Sequence, residues 1–124
     1  MTEEKKDFFV SDISLSYKYT AGNATTRFLN KVAEGKLVAQ KCPKCSAVYV
    51  PPRGSCPRCG VATEEELELP DTGAVESFTI VHIPIPGNPI VPPYVSAMIR
   101  LDGADISFLH LIQEIDLADI RIGM

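Results

Sequence analysis

The four cysteines of this chain stand in two matched pairs that together could bind a metal ion. The pairs are Cys42-Pro-Lys-Cys45 and Cys56-Pro-Arg-Cys59, and ten residues separate them. Each CxxC turn directs two sulfurs to one point, and two facing turns form a tetrahedral thiolate cage of the kind that Zn²⁺ prefers. We therefore predict a structural zinc site whose ligands are Cys42, Cys45, Cys56 and Cys59.

Other uses of the cysteines are less consistent with the sequence. Disulfides need an oxidising compartment, whereas the charged segment 1–7 lacks the apolar core of a signal peptide and favours a cytoplasmic location. A thioredoxin-like redox site needs a single CxxC at the start of a helix. Iron in a rubredoxin-like cage is the main alternative metal. A catalytic zinc ion needs an open coordination position, which four thiolates do not leave.

Composition limits the class of protein. The chain has 124 residues and a net charge of −4, with a pI of about 5.1, so it forms one ordinary domain or two very small ones. The acidic balance argues against nucleic-acid binding, which usually accompanies a basic excess. We find no apolar run long enough to span a membrane.

A helix and a zinc ribbon are the elements expected around the cysteines. The helix is predicted to begin near Thr25, to be capped by Asn23 or Thr25, and to end at Gly35. Its apolar residues recur at helical spacing, and the face they form either packs internally or docks on a partner. These residues are Phe28, Leu29, Val32 and Ala33.

The ribbon is predicted over residues 37–60. A short strand over Leu37–Gln40 leads into the first knuckle, and Val48–Val50 returns from it. Gly60 suits the left-handed backbone position that follows the last cysteine, and Ser46 holds the matching position of the first knuckle.

The ribbon carries basic side chains and no acidic ones. Four thiolates and one zinc ion together give a charge of −2, so part of the basic charge offsets the cage, and the rest is free to meet an anion such as a phosphate. These basic residues are Lys41, Lys44, Arg53 and Arg58.

The second half of the chain is predicted to be a sheet. Glu64–Glu66 is interpreted as a solvated acidic linker. Strand patterns follow over Gly73–Ile83, Val95–Leu101 and Ile106–Ile112, and the Asp-Gly turn after Leu101 favours an antiparallel meander.

A proline-rich loop separates the first two of these strands. Half of the ten prolines lie within residues 84–93. Because an apolar loop is costly to expose, we expect it to be covered by the ribbon, by a partner protein or by an acyl chain.

Several segments resemble the family of domain of unknown function thirty-five when they are taken in their order along the chain. The matching segments are Gly35–Cys42, Tyr49–Arg53, Gly73–Thr79, Pro92–Tyr94, Ile99–Gly103 and Ile120–Met124. The resemblance implies a mainly β protein with a lead-in and helix over residues 1–36, a rubredoxin-like zinc ribbon over 37–66, and an OB-fold-like antiparallel barrel over 67–124. That family continues with further strands, whereas this chain ends at Met124. We therefore expect an incomplete barrel whose open edge is covered or disordered.

The same resemblance implies a non-catalytic accessory subunit of a thiolase-like acyl-CoA enzyme, such as a thiolase or a steroid side-chain aldolase. The implied role is to complete or shield an acyl-CoA site or channel. In that role Lys41, Lys44, Arg53 and Arg58 are the candidates for contact with CoA or another anion. The candidates for contact with the partner enzyme are Phe28, Pro92, Pro93 and Tyr94.

Two other functions stay open. Zinc ribbons and OB-folds also bind single-stranded nucleic acid, for which Phe78, Tyr94 and Phe108 offer stacking surfaces. A small hydrolase or dehydratase acting through His82 or His110 is the third hypothesis, although neither histidine lies beside a recognisable Ser or Asp motif.

Overall fold

The computed structural model describes residues 7–124, and its secondary structure is mainly β, as predicted. In that part of the chain one helix is followed by six strands. They are α1 (Gly22–Ala33), β1 (Leu37–Lys41), β2 (Val48–Tyr49), β3 (Glu65–Leu69), β4 (Gly73–Val81), β5 (Tyr94–Leu101) and β6 (Phe108–Ile112). The first six residues of the predicted charged lead-in lie outside the described residues. Residues 7–20 are exposed and contain neither helix nor strand.

Helix α1 begins earlier than predicted. Asn23 and Thr25 do not cap it, because both lie inside its first turn, and no side chain caps it at Ala21. The end of the helix is as predicted. Gly35 has a φ of +79°, and the N–H groups of Gly35 and Lys36 donate to carbonyls of the last turn at 2.9 Å each, which is the Schellman arrangement.

The first sheet has the strand order β2-β1-β3, and all of its pairs are antiparallel. The prediction that Glu64–Glu66 is a solvated linker is wrong for Glu65 and Glu66, which begin β3. Leu67 and Leu69 alternate with acidic residues along this strand, so its apolar face joins the hydrophobic core while Glu65 and Glu68 are exposed. The predicted domain boundary between residues 66 and 67 lies inside β3.

The second sheet is the predicted meander, in the order β4-β5-β6. Val95, Ala97 and Leu101 are buried on one face of β5, as their alternation indicates. Gly73 is required where β4 approaches β5, because any side chain there would collide with the carbonyl of Arg100.

The last residues of the chain lie at the free edge of β4. The N–H of Gly123 donates to the carbonyl of Val75 at 2.8 Å, and the N–H of Val75 donates to the carbonyl of Met124 at 2.9 Å. With a φ of +85° at Gly123, these bonds have the pattern of a glycine-type β-bulge. Within residues 7–124 the sheet stays open rather than closing into a barrel.

One hydrophobic core joins the two sheets. It is formed by Ala39, Val48, Val50, Leu69, Leu101 and Ala104, with Phe28, Leu37, Leu67 and Phe108 packed against it. Two hydrogen bonds reinforce the junction: the N–H of Val48 donates to Asp105 Oδ2 at 2.7 Å, and the N–H of Asp105 donates to the Val48 carbonyl at 3.0 Å. In the described part of the chain, no helix has the length and apolar character needed to cross a bilayer.

Candidate metal centre

The four cysteine sulfurs converge on one point. All four Sγ atoms lie within 4.8 Å of one another, and Cys45 Sγ is 3.7 Å from Cys56 Sγ. A tetrahedral metal ion with bonds of about 2.3 Å to sulfur separates its ligands by about 3.8 Å, so the cage fits such an ion. Cys42 and Cys56 are buried, Cys59 is half-buried and Cys45 faces solvent.

The two knuckles share one backbone design. The N–H of Cys42 donates to Ala47 O at 2.9 Å, and the N–H of Cys56 donates to Val61 O at 2.8 Å. A second bond closes each turn at its left-handed residue, at 3.0 Å from Ser46 to the Cys42 carbonyl and at 2.8 Å in the other knuckle. Ser46 therefore adopts the φ of +63° that glycine usually supplies, as its place in the motif predicts.

Main-chain N–H groups stabilise the thiolate form of Cys42. The N–H groups of Lys44 and Cys45 each lie 3.4 Å from Cys42 Sγ. Mainly because of the donor at Cys45, the pKa of Cys42 lies below its usual value. Such donors spread the negative charge of a thiolate cage.

Tyr49 is a functional residue that the sequence did not reveal as one. Its hydroxyl lies 3.2 Å from Cys56 Sγ, and donation of this hydrogen bond is the main reason that the pKa of Cys56 falls to about 6. The same bond raises the pKa of Tyr49 to about 12, because the phenol must stay protonated to donate. The only signal in the sequence is an aromatic residue in the strand that returns from the first knuckle.

The pKa of Cys59 is raised, whereas those of Cys42 and Cys56 are lowered. Burial, reinforced by the neighbouring sulfurs, raises the pKa of Cys59 to about 12. At neutral pH the Cys59 thiol therefore disfavours ionisation beside the other sulfurs, and a bound metal ion would supply the positive charge that offsets this cost. The cage is thus a structural metal site, and its four thiolates leave no coordination position for substrate.

A second feature missed from the sequence is the buried side chain of Gln40. Its Oε1 accepts one hydrogen bond from the N–H of Gly54 and one from Thr63 Oγ1, each at 3.0 Å. These two residues flank the second knuckle, so the strand that leads into the first knuckle also fixes the second. A glutamine that directly follows three apolar residues in a short strand is the signal that indicates this role.

The structure does not gather the four basic candidates into one patch. Lys44 and Arg58 lie at equivalent positions in the knuckles, where their main-chain N–H groups donate hydrogen bonds to the sulfurs of Cys42 and Cys56. Lys41 ends β1. Arg53 stands apart, above the Tyr49 ring at 5.8 Å.

Arg53 also lines a cavity of about 620 Å³ beside the first turn of α1. Arg27, Gln40 and Glu64 line the same cavity. Among the four basic candidates, Arg53 is the one that faces this cavity.

The partner-facing candidates occupy two places. Phe28 packs against the core and borders a largely apolar groove of about 570 Å³ between α1 and the β4-β5-β6 sheet. Pro92 and Tyr94 are half-buried and Pro93 is exposed at the end of the proline loop. Asn88 orders that loop by donating from Nδ2 to the Tyr94 hydroxyl at 3.4 Å.

The proline loop is not covered by the ribbon. Within the loop Ile85 and Val91 are 59% and 81% exposed, and Ile83, just before it, is 76% exposed. The sequence left three possible coverings for this loop: the ribbon, a partner protein or an acyl chain. In the described part of the chain, the ribbon does not cover it.

Nucleic-acid binding and catalysis by a histidine are the two other hypotheses, and each depends on residues of the second sheet or next to it. Arg100, the basic residue in the strands of the second sheet, pairs with Glu76 at 2.7 Å, and Phe108 packs against the core. His110 is exposed, and its Nδ1 lies 3.1 Å from the Leu111 carbonyl. Among residues 7–124, no hydrogen bond joins His82 or His110 to a carboxylate or a hydroxyl.

Two protein-family models together match residues 30–124, from the end of α1 onward. The model of the ChsH2 rubredoxin-like zinc ribbon domain matches residues 30–65, and the model of the ChsH2 C-terminal OB-fold domain matches residues 66–124.

Two curated relatives extend this match. A DUF35 domain-containing scaffold protein of Methanocaldococcus jannaschii is 37% identical over 90 residues, which is 71% of this chain and 62% of that protein. A probable enoyl-CoA hydratase alpha subunit of Thermomonospora curvata is 36% identical over 66 residues, or 53% of this chain and 20% of that protein. The chain therefore spans less than two thirds of either relative.

Two solved structures share the fold. A DUF35 protein of unknown function from Sulfolobus solfataricus is 29% identical, with a TM-score of 0.68 over 82% of this chain and 74% of that one. A chain of the Ltp2-ChsH2(DUF35) aldolase is also 29% identical, with a TM-score of 0.69 over 86% of this chain and 83% of that one. The chain thus belongs to the DUF35 family, with the ChsH2-type order of rubredoxin-like zinc ribbon and OB-fold domain.

Proposed function

We propose that this chain is a non-catalytic accessory subunit that binds a thiolase-superfamily acyl-CoA enzyme and helps to form or shield its acyl-CoA site. Its relatives support this role, since one is a scaffold protein, one is a probable enoyl-CoA hydratase subunit and one belongs to an aldolase. The metal that we propose for the cage is zinc, bound by Cys42, Cys45, Cys56 and Cys59. Its contribution is to hold the ribbon together, because the closed cage has no free position for Lewis-acid chemistry.

The exposed proline loop is the observation that carries the proposal. Ile85 and Val91 point apolar side chains outward from a segment that prolines stiffen and that Asn88 ties to Tyr94. A rigid apolar surface loses little conformational entropy when a protein covers it, which favours docking. We therefore assign the enzyme-binding surface to this loop, which includes Pro92 and Pro93, together with Tyr94.

Arg53 is the basic residue that we propose for contact with a CoA phosphate. It lines the cavity beside α1, whereas Lys44 and Arg58 belong to the knuckles and Lys41 ends β1. Arginine suits this contact because its planar fork can bind phosphate oxygens in pairs.

Co-expression with acyl-CoA aldolases, hydratases and thiolase-like enzymes encoded in the same operon tests the proposal. We expect one such enzyme to co-purify with the chain in a fixed ratio, and to be unstable or inactive alone. Ile85→Asp with Val91→Asp should abolish co-purification while metal content stays unchanged, and Thr79→Asp on an exposed part of β4 is the matched control. A chain that binds none of these enzymes, or whose loop variants bind them normally, contradicts the proposal.

A further inference from the structure

The cavity beside the first turn of α1 contains a buried amide that lacks an acceptor among residues 7–124. This amide belongs to Gln40, which is 4% exposed and lines the cavity. Its orientation is determined, because Oε1 must be the atom that accepts from the N–H of Gly54. In the same residues its Nε2 meets no acceptor, and no side-chain nitrogen or oxygen is both enclosed and unpaired. The Nε2 group is therefore open to the cavity as a hydrogen-bond donor.

The start of α1 supplies two more donors to this cavity. The N–H groups of Asn23 and Ala24 lie in the first turn, where a helix offers no carbonyl to accept them, and Ala21 before them has no side chain that could cap the end. Both residues line the cavity. The helix dipole adds a partial positive charge here, and the first turn carries no acidic side chain to offset it.

The loop that carries Arg53 lies close to this helix end. Gly54 has a φ of +79°, and a Cβ built on it would be 3.6 Å from the Cβ of Ala24. The N–H of the same glycine donates to Gln40 Oε1 at 3.0 Å. The helix end, the Gln40 amide and the loop therefore border one space.

The lining of the cavity carries more positive than negative charge. Arg27 and Arg53 are opposed by Glu64, whose side chain is exposed. Arg27 also pairs with Glu66 at 3.0 Å, whereas no salt bridge within residues 7–124 joins Arg53 to a carboxylate. The guanidinium of Arg53 lies 5.8 Å above the ring of Tyr49, a contact that restricts it without using its hydrogen-bond donors. An arginine free to bind an anion therefore stands beside the unpaired amide.

We propose that this cavity binds the nucleotide end of CoA, with the 3′-phosphate held by the start of α1, by Gln40 Nε2 and by Arg53. Helix starts and arginine both bind phosphate oxygens, and a space of about 620 Å³ has the size of a small-molecule site. Glu64 disfavours a free phosphate ion, but it can accept a hydrogen bond from a ribose hydroxyl, as acidic residues do in nucleotide sites. This assignment rests on the proposed function, and it leaves the acyl end of CoA to the partner enzyme.

Titration of the metal-loaded full chain with CoA at low salt, followed by amide NMR, tests the site. We expect the main-chain amides of Asn23 and Ala24 and the side-chain amide of Gln40 to shift with CoA and with adenosine 3′,5′-bisphosphate. Dephospho-CoA, which lacks the 3′-phosphate, should bind about 10–100-fold more weakly than CoA, the loss that corresponds to one charge-assisted hydrogen bond. Orthophosphate, which lacks the nucleoside, should bind more weakly than the bisphosphate.

Two variants test the proposed donors. Gln40→Glu keeps an oxygen that accepts from Gly54 but removes the amide donor, and Arg53→Gln removes the guanidinium. Each is expected to weaken CoA binding about 10–100-fold. Lys36→Gln changes the net charge by the same amount at an exposed position outside the cavity lining, and it should leave the affinity unchanged. Metal content and circular dichroism establish that each variant is folded, and the exposed position of Arg53 keeps the test decisive if Gln40→Glu does not fold.

The assignment is overturned if CoA and dephospho-CoA bind equally, if orthophosphate binds as tightly as CoA, or if CoA shifts only resonances outside the cavity. Equal losses of affinity in Arg53→Gln and Lys36→Gln would also overturn it, since they would reveal a general effect of charge. CoA binding is measured without the enzyme, whereas co-purification with the enzyme needs no CoA. A chain that co-purifies with an enzyme but does not bind CoA therefore contradicts this assignment alone, and a chain that binds CoA but no enzyme contradicts the proposed function alone.

Discussion

The hydroxyl of Tyr49 lies 3.2 Å from the sulfur of Cys56, inside the hydrophobic cluster that surrounds the cage. A phenol is a weak acid, so it can donate to a thiolate without giving up its proton. The first sheet thereby places a permanent hydrogen-bond donor against one ligand of the metal. Metal binding and the packing of β2 are therefore energetically linked.

Tyr49→Phe is predicted to make the metal more sensitive to acid. Mainly because of this hydroxyl, the pKa of Cys56 is about 6, below its usual value of 9.0. In the metal-free chain the lowered pKa favours the fold above pH 9, and this contribution is lost as the pH falls towards 6. Without the donor the pKa of Cys56 rises, protons compete with the metal at higher pH, and metal affinity falls by about 10–100-fold. Metal release to a chromophoric chelator as a function of pH measures the shift. Tyr17→Phe, far from the cage, is the control, and identical release curves for the two variants would refute the role given to Tyr49.

Replacing one ligand should unfold the ribbon rather than remove a chemical step. Cys42→Ser and Cys59→Ser are each expected to lose bound metal and the ordered amide resonances of residues 37–60, because a structural metal ion contributes folding free energy directly. Elemental analysis should find one zinc ion per wild-type chain, and the same measurement would detect iron. Ser55→Ala is the control. A Cys59→Ser chain with full metal content and an ordered ribbon would contradict a four-thiolate site.

Gln40→Leu is predicted to destabilise the chain by about 1–3 kcal/mol, the cost of leaving buried hydrogen-bond donors without an acceptor. The N–H of Gly54 and the hydroxyl of Thr63 both lose their partner, and leucine cannot replace it. Urea denaturation of the metal-loaded protein gives the free energy of unfolding. Gln113→Leu, at an exposed position, should change that free energy by far less, and equal effects at the two positions would disprove the bridging role.

Asp105→Ala should loosen the contact between the two sheets. The carboxylate accepts from the N–H of Val48 at 2.7 Å, and its loss is expected to cost about 1 kcal/mol because the site is partly exposed. The expected signature is faster hydrogen exchange at the Val48 amide, while exchange in the centre of β5 stays unchanged. Asp105→Asn retains an acceptor oxygen and should preserve most of the protection. If alanine and asparagine accelerated exchange equally, the hydrogen bond would not be the cause.

Local patterns were sufficient to predict the cage and the meander. Two CxxC motifs determine the ligands because each turn is closed by bonds within a few residues. The alternation of Val95, Ala97 and Leu101 determines which face of β5 is buried, since the side-chain period of a strand is two.

The features that were missed depend on contacts between distant segments. β3 was not predicted because three consecutive glutamates outweighed the alternation of Leu67 and Leu69, and only pairing with β1 reveals the strand. Likewise, nothing near Tyr49 indicates that the second knuckle will bring Cys56 to its hydroxyl.

The pairing of β3 with β1 bears on how such proteins can be recombined. Leu37 lies opposite Leu69 and Lys41 lies opposite Glu65. The third strand of the ribbon's sheet therefore comes from the start of the segment that follows the ribbon. A chimera that takes its ribbon from one homologue and joins the next domain at residue 65 would pair strands that had not evolved together. Joining the two parents within residues 70–72, after β3 ends, transfers the whole sheet intact. We expect fusions and shuffled genes to fold best when their junctions lie within residues 70–72.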